Sequence, residues 1–138
     1  MKGYTFLEHT ADARFEARGK TLAAIFTNAA LALQEIQVDV KTVSPKQKRK
    51  ITLTNEKLDM LLFDFLQELI VIKDAELLLF SKFSIKVSDK SPYTLTAICC
   101  GEKINPKKHA LDKDAKAVTL HKFEVKKTSA GWITRVII

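Results

Sequence analysis

The chain has 138 residues, a typical length for a single domain, and its hydrophobic (46%) and charged (28%) fractions are those of a globular protein. Few glycines and prolines exclude a collagen-like or low-complexity chain, and no apolar run approaches the roughly 18 residues of a membrane span. Lysine and arginine exceed the acidic residues by seven, so the charge suits acidic partners such as RNA. We expect one soluble, basic domain over residues 1–138, with no membrane contact. Charged residues near the N-terminus disfavour a secretory signal, which indicates a cytoplasmic protein.

The first third of the chain predicts two strands and a helix. Residues 4–8 are rich in aromatic and apolar side chains, and residues 13–18 alternate between apolar and charged side chains as a half-buried strand does. Thr21 is a suitable N-cap for the helix that follows, whose apolar residues recur at helical spacing. These residues are Leu22, Ile25, Phe26, Ala29, Leu33 and Ile36.

The middle of the chain predicts a basic loop, a strand and a second helix. Residues 41–50 read as a loop that leads into a strand at residues 51–54, and Asn55 can cap the next helix. The apolar residues of that helix again recur at helical spacing. They are Leu58, Leu61, Leu62, Phe65, Leu69 and Ile72.

The last part of the chain predicts four strands and one long loop. Two strands, residues 80–87 and 93–100, precede an irregular charged stretch at 101–117, and residues 117–126 and 132–138 read as a terminal hairpin. Long ordered loops are disproportionately functional. Two helices among several hairpin-connected strands favour an antiparallel α+β domain in which both helices cover one sheet.

The two cysteines, Cys99 and Cys100, are adjacent. Neighbouring side chains on a strand point to opposite faces, so a disulfide between them is geometrically poor. Without a third cysteine, a zinc ribbon and a disulfide framework are both excluded, and we expect two reduced, packed thiols.

The first candidate site lies between the two N-terminal strands, where His9 and Asp12 fall. A carboxylate there can face solvent or a ligand, whereas an isolated turn aspartate more often bonds its own backbone. A hard divalent cation would need further oxygen donors from elsewhere in the fold.

The second candidate group precedes and enters the last hairpin. Its polar members are His109, Lys116, Thr119 and His121. A strand over residues 116–121 would place Thr119 and His121 side by side on one face, with Val118 and Leu120 on the other. Such a group could bind phosphate, contact a protein or act in general acid–base catalysis. The alternative is a purely structural role, in which His121 is half-buried and Lys116 is solvated.

The basic residues form a further candidate surface. They are Lys46, Lys48, Arg49, Lys50, Lys103, Lys107, Lys108, Lys113, Lys122, Lys126 and Lys127. Nucleic-acid binders often pair such charge with stacking aromatic residues. Here the aromatic residues mostly fall in apolar stripes and acids interrupt the basic runs, which favours a solvated face over an autonomous RNA-binding surface.

Several blocks of the sequence resemble the archease family. In chain order they are FLEHTAD at 6–12, RGKTL at 18–22, NAALAL at 28–33, LLFDFLQEL at 61–69, GEK at 101–103, KH at 108–109, KAVTLH at 116–121 and GW at 131–132. They keep the order of the family and cover essentially the whole chain, so the resemblance is specific.

The resemblance implies a protein that is not an enzyme and that activates the GTP-dependent tRNA-splicing RNA ligase, promoting ligase guanylylation and multiple turnover. It also implies a bound divalent cation, expected to be calcium. Asp12 matches the first metal-ligand aspartate of the family, and Lys116 matches the lysine of its Lys-Ala-(Val/Ile)-Thr motif. We expect tRNA to be contacted only weakly or indirectly. We also expect a further group of residues to take part in ligase activation. That group comprises His9, His109, Thr119 and His121.

One departure from the family concerns the C-terminus. Members of the family usually finish with an Asp-Ile-like pair whose aspartate helps to complete the metal site. This sequence ends at Ile137-Ile138, so we expect the closing ligand residues to be missing after Ile138. A single carboxylate would hold a hard cation weakly.

Two other functions stay open from the sequence. One is a chaperone-like or RNA-binding module that acts through the basic face. The other is a stand-alone hydrolase built on Asp12, His109 and His121, which is poorly supported because no nucleophile–base spacing is visible.

Overall fold

A computed structural model describes residues 3–7, 13–109, 111 and 114–138. The described residues form two α-helices, one short 3₁₀-helix and seven β-strands. In chain order these are β1 (Tyr4–Phe6), β2 (Arg14–Gly19), α1 (Leu22–Gln37), the 3₁₀-helix (Val40–Thr42), β3 (Gln47–Asn55), α2 (Leu58–Glu76), β4 (Leu78–Val87), β5 (Tyr93–Lys103), β6 (Thr119–Thr128) and β7 (Gly131–Ile137). No helix among the described residues is long and apolar enough to cross a membrane.

The strands form two antiparallel sheets, which confirms the predicted α+β class. The first sheet has the order β1-β2-β7-β6 and the second has the order β3-β5-β4. The expectation that both helices cover a single sheet was wrong. Each helix contacts strands of both sheets, so the apolar faces of two separate sheets are buried on one shared pair of helices.

The core follows the helical stripes that the sequence predicts. Phe26 of α1 and Phe65 of α2 are fully buried, and their rings stack with centroids 6.3 Å apart. Phe65 also meets Phe83 of β4 edge to face, so this one ring joins both helices to the second sheet. Cys99 is buried and Cys100 half-buried, and both thiols are free, as predicted.

The two helices begin in different ways. The Thr21 hydroxyl accepts a hydrogen bond from the amide of Ala24 at 3.1 Å, which confirms the predicted cap of α1. Asn55 does not cap α2, because it is the last residue of β3 and the cap position falls on Lys57. The Asn55 side chain instead accepts from the amide of Lys57 and donates to Asp64, both at 3.0 Å.

Two irregularities interrupt the strand ladders. In β4 the register shifts between Phe80 and Lys82, and the side-chain oxygen of Gln34 accepts from the amide of Phe80 at 3.1 Å. In β6 the register shifts between Thr119 and Glu124. Lys122, within this second irregularity, adopts a left-handed conformation with φ of 54°.

Candidate functional site at the end of strand β7

The end of β7 lies between β2 and β6, and both neighbours hold it by hydrogen bonds. The amide of Ile138 donates to the carbonyl oxygen of Ala13 at 2.8 Å. On the other side, the hydroxyl of Thr119 donates to the carbonyl oxygen of Ile137 at 3.1 Å. The end of β7 therefore lies between Ala13, which follows Asp12 in sequence, and Thr119, the first residue of β6.

Residues 114–118, which precede β6, do not form the strand that the sequence predicts. Ala115 and Val118 are buried, whereas Lys116 lies exposed between them. Val118 is 5% exposed and Leu120 is 56% exposed, so the predicted common face of these two residues was wrong. The physical reason is that this segment packs against α2 rather than pairing in a sheet along its whole length.

Two polar side chains of α2 hold this segment. Lys73 donates to the carbonyl oxygen of Ala115 at 2.9 Å and forms an ion pair with Asp114. The side-chain oxygen of Gln67 accepts from the amide of Val118 at 3.0 Å. We call residues 114–118, so held, the pinned segment.

Lys73 is charged although its side chain is only 6% exposed. Burial lowers the pKa of Lys73, but hydrogen bonds to Asp114 and Asp74 outweigh burial, so the pKa lies above its ordinary value. Sequence reasoning missed this residue. The available signal was a lysine placed among the apolar positions of a helix, directly after Ile72 and four residues after Leu69.

A second cation accompanies the end of β7. Arg14 opens β2 and pairs in register with Ile137. Its Nε atom is buried and has no hydrogen-bond partner among the described residues. Ile137 also pairs in register with Thr119, so Arg14 and the start of β6 flank the same strand end.

The remaining predicted site residues have different positions. Asp12 and His9 lie outside the described residues, and His121 belongs to β6 by its backbone, its side chain not being among those described. Thr119 lies at the end of β7, as the bond to Ile137 shows. The meeting of Asp12 with Lys116 stays a prediction.

His109 belongs to a separate, buried cluster. The amide of Asn105 donates to His109 Nδ1 at 2.8 Å, so this nitrogen is an acceptor and the ring proton sits on Nε2. Nε2 in turn lies 3.0 Å from Oε2 of Glu102. Both ring nitrogens are thus engaged, one by the loop itself and one by the end of β5, which favours a structural role for His109.

Glu102 is the centre of that cluster. Its Oε2 also accepts from Lys108 Nζ at 2.6 Å and from the amide of Ser44 at 2.7 Å. These hydrogen bonds, the one from Lys108 foremost and then those from Ser44 and His109, lower the pKa of Glu102 to about 2. The cluster ties the loop after β5 to the residues that precede β3.

The structure describes only some of the residues expected for the metal centre. In the part of the chain that the structure describes, no three histidine, cysteine or acidic side chains are grouped so as to hold a metal ion. The described side chains alone therefore do not supply the donor set that calcium needs. Asp12, the expected ligand, lies outside them.

A different surface lies at the opposite end of β7, where two cavities share Trp132 as a wall. Their volumes are about 480 and 450 Å³. Lys127 lines the first cavity, with its Nζ 5.9 Å from the centroid of the Trp132 ring, and Lys20 lines the second. Tyr93 and Asp89 also line the first cavity.

The fold and the geometry at the end of β7 define a small two-sheet α+β protein whose candidate site surrounds the end of its last strand. The sequence matches the model of the Archease protein family (MTH1598/TM1083) over residues 4–138. It is 37% identical to protein archease of Methanosarcina mazei, over 99% of this chain and 95% of the relative. It is 36% identical to protein archease of Thermococcus kodakarensis, over 99% of this chain and 98% of that relative. The chain belongs to the archease family.

Two solved structures have the same fold. The solution structure of Methanobacterium thermoautotrophicum protein 1598 is 40% identical and gives a TM-score of 0.87, over 100% of this chain and 99% of that one. The second is a crystal structure of an archease from Thermotoga maritima, described as a possible chaperone. It gives a TM-score of 0.62 at 16% identity, over 95% of this chain and 92% of that one. At that identity the second likeness shows the fold alone.

Proposed function

We propose that this protein activates the GTP-dependent tRNA-splicing RNA ligase in the cytoplasm, and that the ligase itself performs the nucleotidyl transfer. Membership of the archease family supports the partner. The observation that carries the site is Lys116, an exposed cation on the pinned segment, three residues before Thr119 at the end of β7. A cation held on an anchored segment can be offered to a partner at a fixed position.

The proposed mechanism is electrostatic. Lys116 neutralises charge on the phosphates of the nucleotide bound to the ligase, and Arg14, which pairs with Ile137, supplies a second cation at the end of β7. Asp12 is the proposed ligand of a divalent cation, expected to be calcium, which would supply further positive charge at the same end of the fold. His9, Thr119 and His121 are proposed to support this group. Contact with tRNA is weak or indirect.

Guanylylation of the purified ligase with GTP tests the proposal directly. The protein alone should transfer no nucleotide, and amounts well below one equivalent should accelerate guanylylation of the ligase. Lys116→Ala should lower this acceleration, whereas Lys90→Ala, which removes an exposed lysine from the turn between β4 and β5, should not. Absence of any acceleration by the unmodified protein would refute the proposal.

A second proposal is an RNA-binding or chaperone-like module that uses the basic face. The observation that favours RNA is Trp132, an aromatic wall between two cavities, with Lys20 and Lys127 beside it. Aromatic stacking with neighbouring cations is the usual means of binding single strands. The description of the Thermotoga protein as a possible chaperone is the support for the chaperone-like form.

A further inference from the structure

We propose that Lys73 is a positioning residue that holds the pinned segment on α2, so that Lys116 is presented to the partner in one fixed place. The inference rests on the function proposed above, since it concerns how Lys116 reaches the ligase. Lys73 lies on α2 and not on the segment that carries Lys116, and its side chain is buried.

The ammonium group of Lys73 is fully committed within the protein. It contacts Asp114, Asp74 at 2.6 Å and the carbonyl oxygen of Ala115 at 2.9 Å. A lysine ammonium has three donors, and these three acceptors account for them. Lys73 is therefore not available to bind a ligand, and what it does is fix the start of the pinned segment.

The end of the pinned segment is fixed by a second group on the same helix. Gln67 lies six residues before Lys73 in sequence and accepts the amide of Val118. Six residues span about 9 Å along a helix, a distance that a five-residue extended segment easily covers. The pinned segment thus runs antiparallel to α2, with Asp114 beside Lys73 and Val118 beside Gln67.

These anchors explain the orientation of Lys116. Ala115 and Val118 are buried against the core, and the segment has no strand ladder to hold its backbone. Lys116 falls between the two anchors, on the exposed side. We expect removal of the Lys73 contacts to free the first half of the segment while leaving the rest of the fold unchanged.

The test compares Lys73→Met with Arg49→Met. Arg49 forms a two-point ion pair with Glu76, which ties the last turn of α2 to β3 but does not touch the pinned segment. It is therefore a matched control for loss of an ion pair at this end of the helix. Asp114→Asn is a second variant, because the Asp114 side chain is 62% exposed and its change does not disturb the core.

Ligase guanylylation is measured against the concentration of each variant. Misplacing Lys116 should lower the maximal acceleration of Lys73→Met by roughly 10- to 100-fold, without raising the concentration that gives half of the maximum. Asp114→Asn should lower the maximum in the same direction, and Arg49→Met should leave it unchanged. A merely structural role predicts the reverse pattern, an unchanged maximum that is reached at higher concentration because less protein is folded.

Hydrogen exchange supplies a readout that does not depend on the ligase. The amides of residues 114–118 should exchange faster in Lys73→Met and in Asp114→Asn than in Arg49→Met. If Asp114→Asn and Lys73→Met keep the full maximum, or if exchange in the pinned segment is unaltered, the role of Lys73 is overturned. A Lys116→Ala protein with full activity would overturn the role of Lys73 as well, because the pinned segment would then have no functional cation to hold. If the unmodified protein gives no acceleration at all, it is instead the proposed function that fails.

Discussion

The hydroxyl of Thr119 donates a hydrogen bond across β6 and β7 to the carbonyl oxygen of Ile137, at 3.1 Å. This bond fixes the point at which the pinned segment becomes a strand. Together with the bond from Ile138 to Ala13, it brings two distant candidate regions of the sequence to one strand end.

Phe65→Ala should destabilise the protein by about 3–5 kcal/mol, because Phe65 is fully buried between Phe26 and Phe83. Urea unfolding followed by circular dichroism measures the change. Phe6→Ala is the control, since Phe6 is 45% exposed and its loss should cost much less. Equal losses for the two variants would contradict the described core.

Glu102→Gln should destabilise the protein at neutral pH, because the carboxylate accepts hydrogen bonds from Lys108, Ser44 and His109. The pKa of Glu102 is lowered from its ordinary 4.5 to about 2, so its contribution is present above 4.5 and is lost as the pH falls towards 2. Thermal unfolding of both proteins should show a difference that closes across this interval. A difference that persists unchanged at the acid end would show that the ionised carboxylate is not the cause.

Asp12→Ala should abolish ligase activation with little loss of stability, because a carboxylate at a solvent-facing turn, as the sequence predicts, adds little to core packing. Guanylylation and thermal unfolding are measured on the same preparation. Lys116→Ala should behave alike, since it removes one cation from the surroundings of the phosphates. A fully active Asp12→Ala protein would remove Asp12 from the site.

An Asp-Ile dipeptide added after Ile138 should strengthen calcium binding, because it supplies another hard oxygen ligand beyond the end of β7. Calorimetric titration with calcium compares the two forms. An Asn-Ile extension controls for length alone, since its amide carries no charge. Equal calcium affinity in all forms would exclude the end of β7 as part of a metal site.

RNA should bind weakly and without sequence preference. Trp132 is the single tryptophan, so its fluorescence reports on the two cavities that it separates. Oligouridine should quench this fluorescence at low salt, and the effect should fall steeply as salt is added. Tight binding to one tRNA at physiological salt would instead favour the RNA-binding alternative as the main function.

The sequence predicted those parts of the fold that local periodicity determines. Both apolar helical stripes, the Thr21 cap and the terminal hairpin are confirmed, because each depends on residues close together in the chain. The division into two sheets was not predictable in this way, since pairing of β2 with β7 is a contact between distant residues.

The candidate site was predictable only in part, for the same physical reason. Period-two reasoning extended β6 back through Lys116, whereas contacts to Lys73 and Gln67 draw that segment onto α2. Tertiary hydrogen bonds here override a local strand pattern. His109 was predicted to belong to the functional group of Lys116, and its hydrogen-bond partner Glu102 became visible only in three dimensions.

The pairing of β2 with β7 also bears on how the chain is made. Residues 47–103 contain the whole second sheet and α2, so all the strand pairs of that sheet join residues that are made before β6 and β7. The first sheet instead joins partners far apart, such as Glu16 and Arg135, which are 119 residues apart in sequence. During synthesis the edge of β2 that pairs with β7 therefore stays unpaired until the final hairpin is made. We expect nascent chains to form wrong strand pairs most often at this edge.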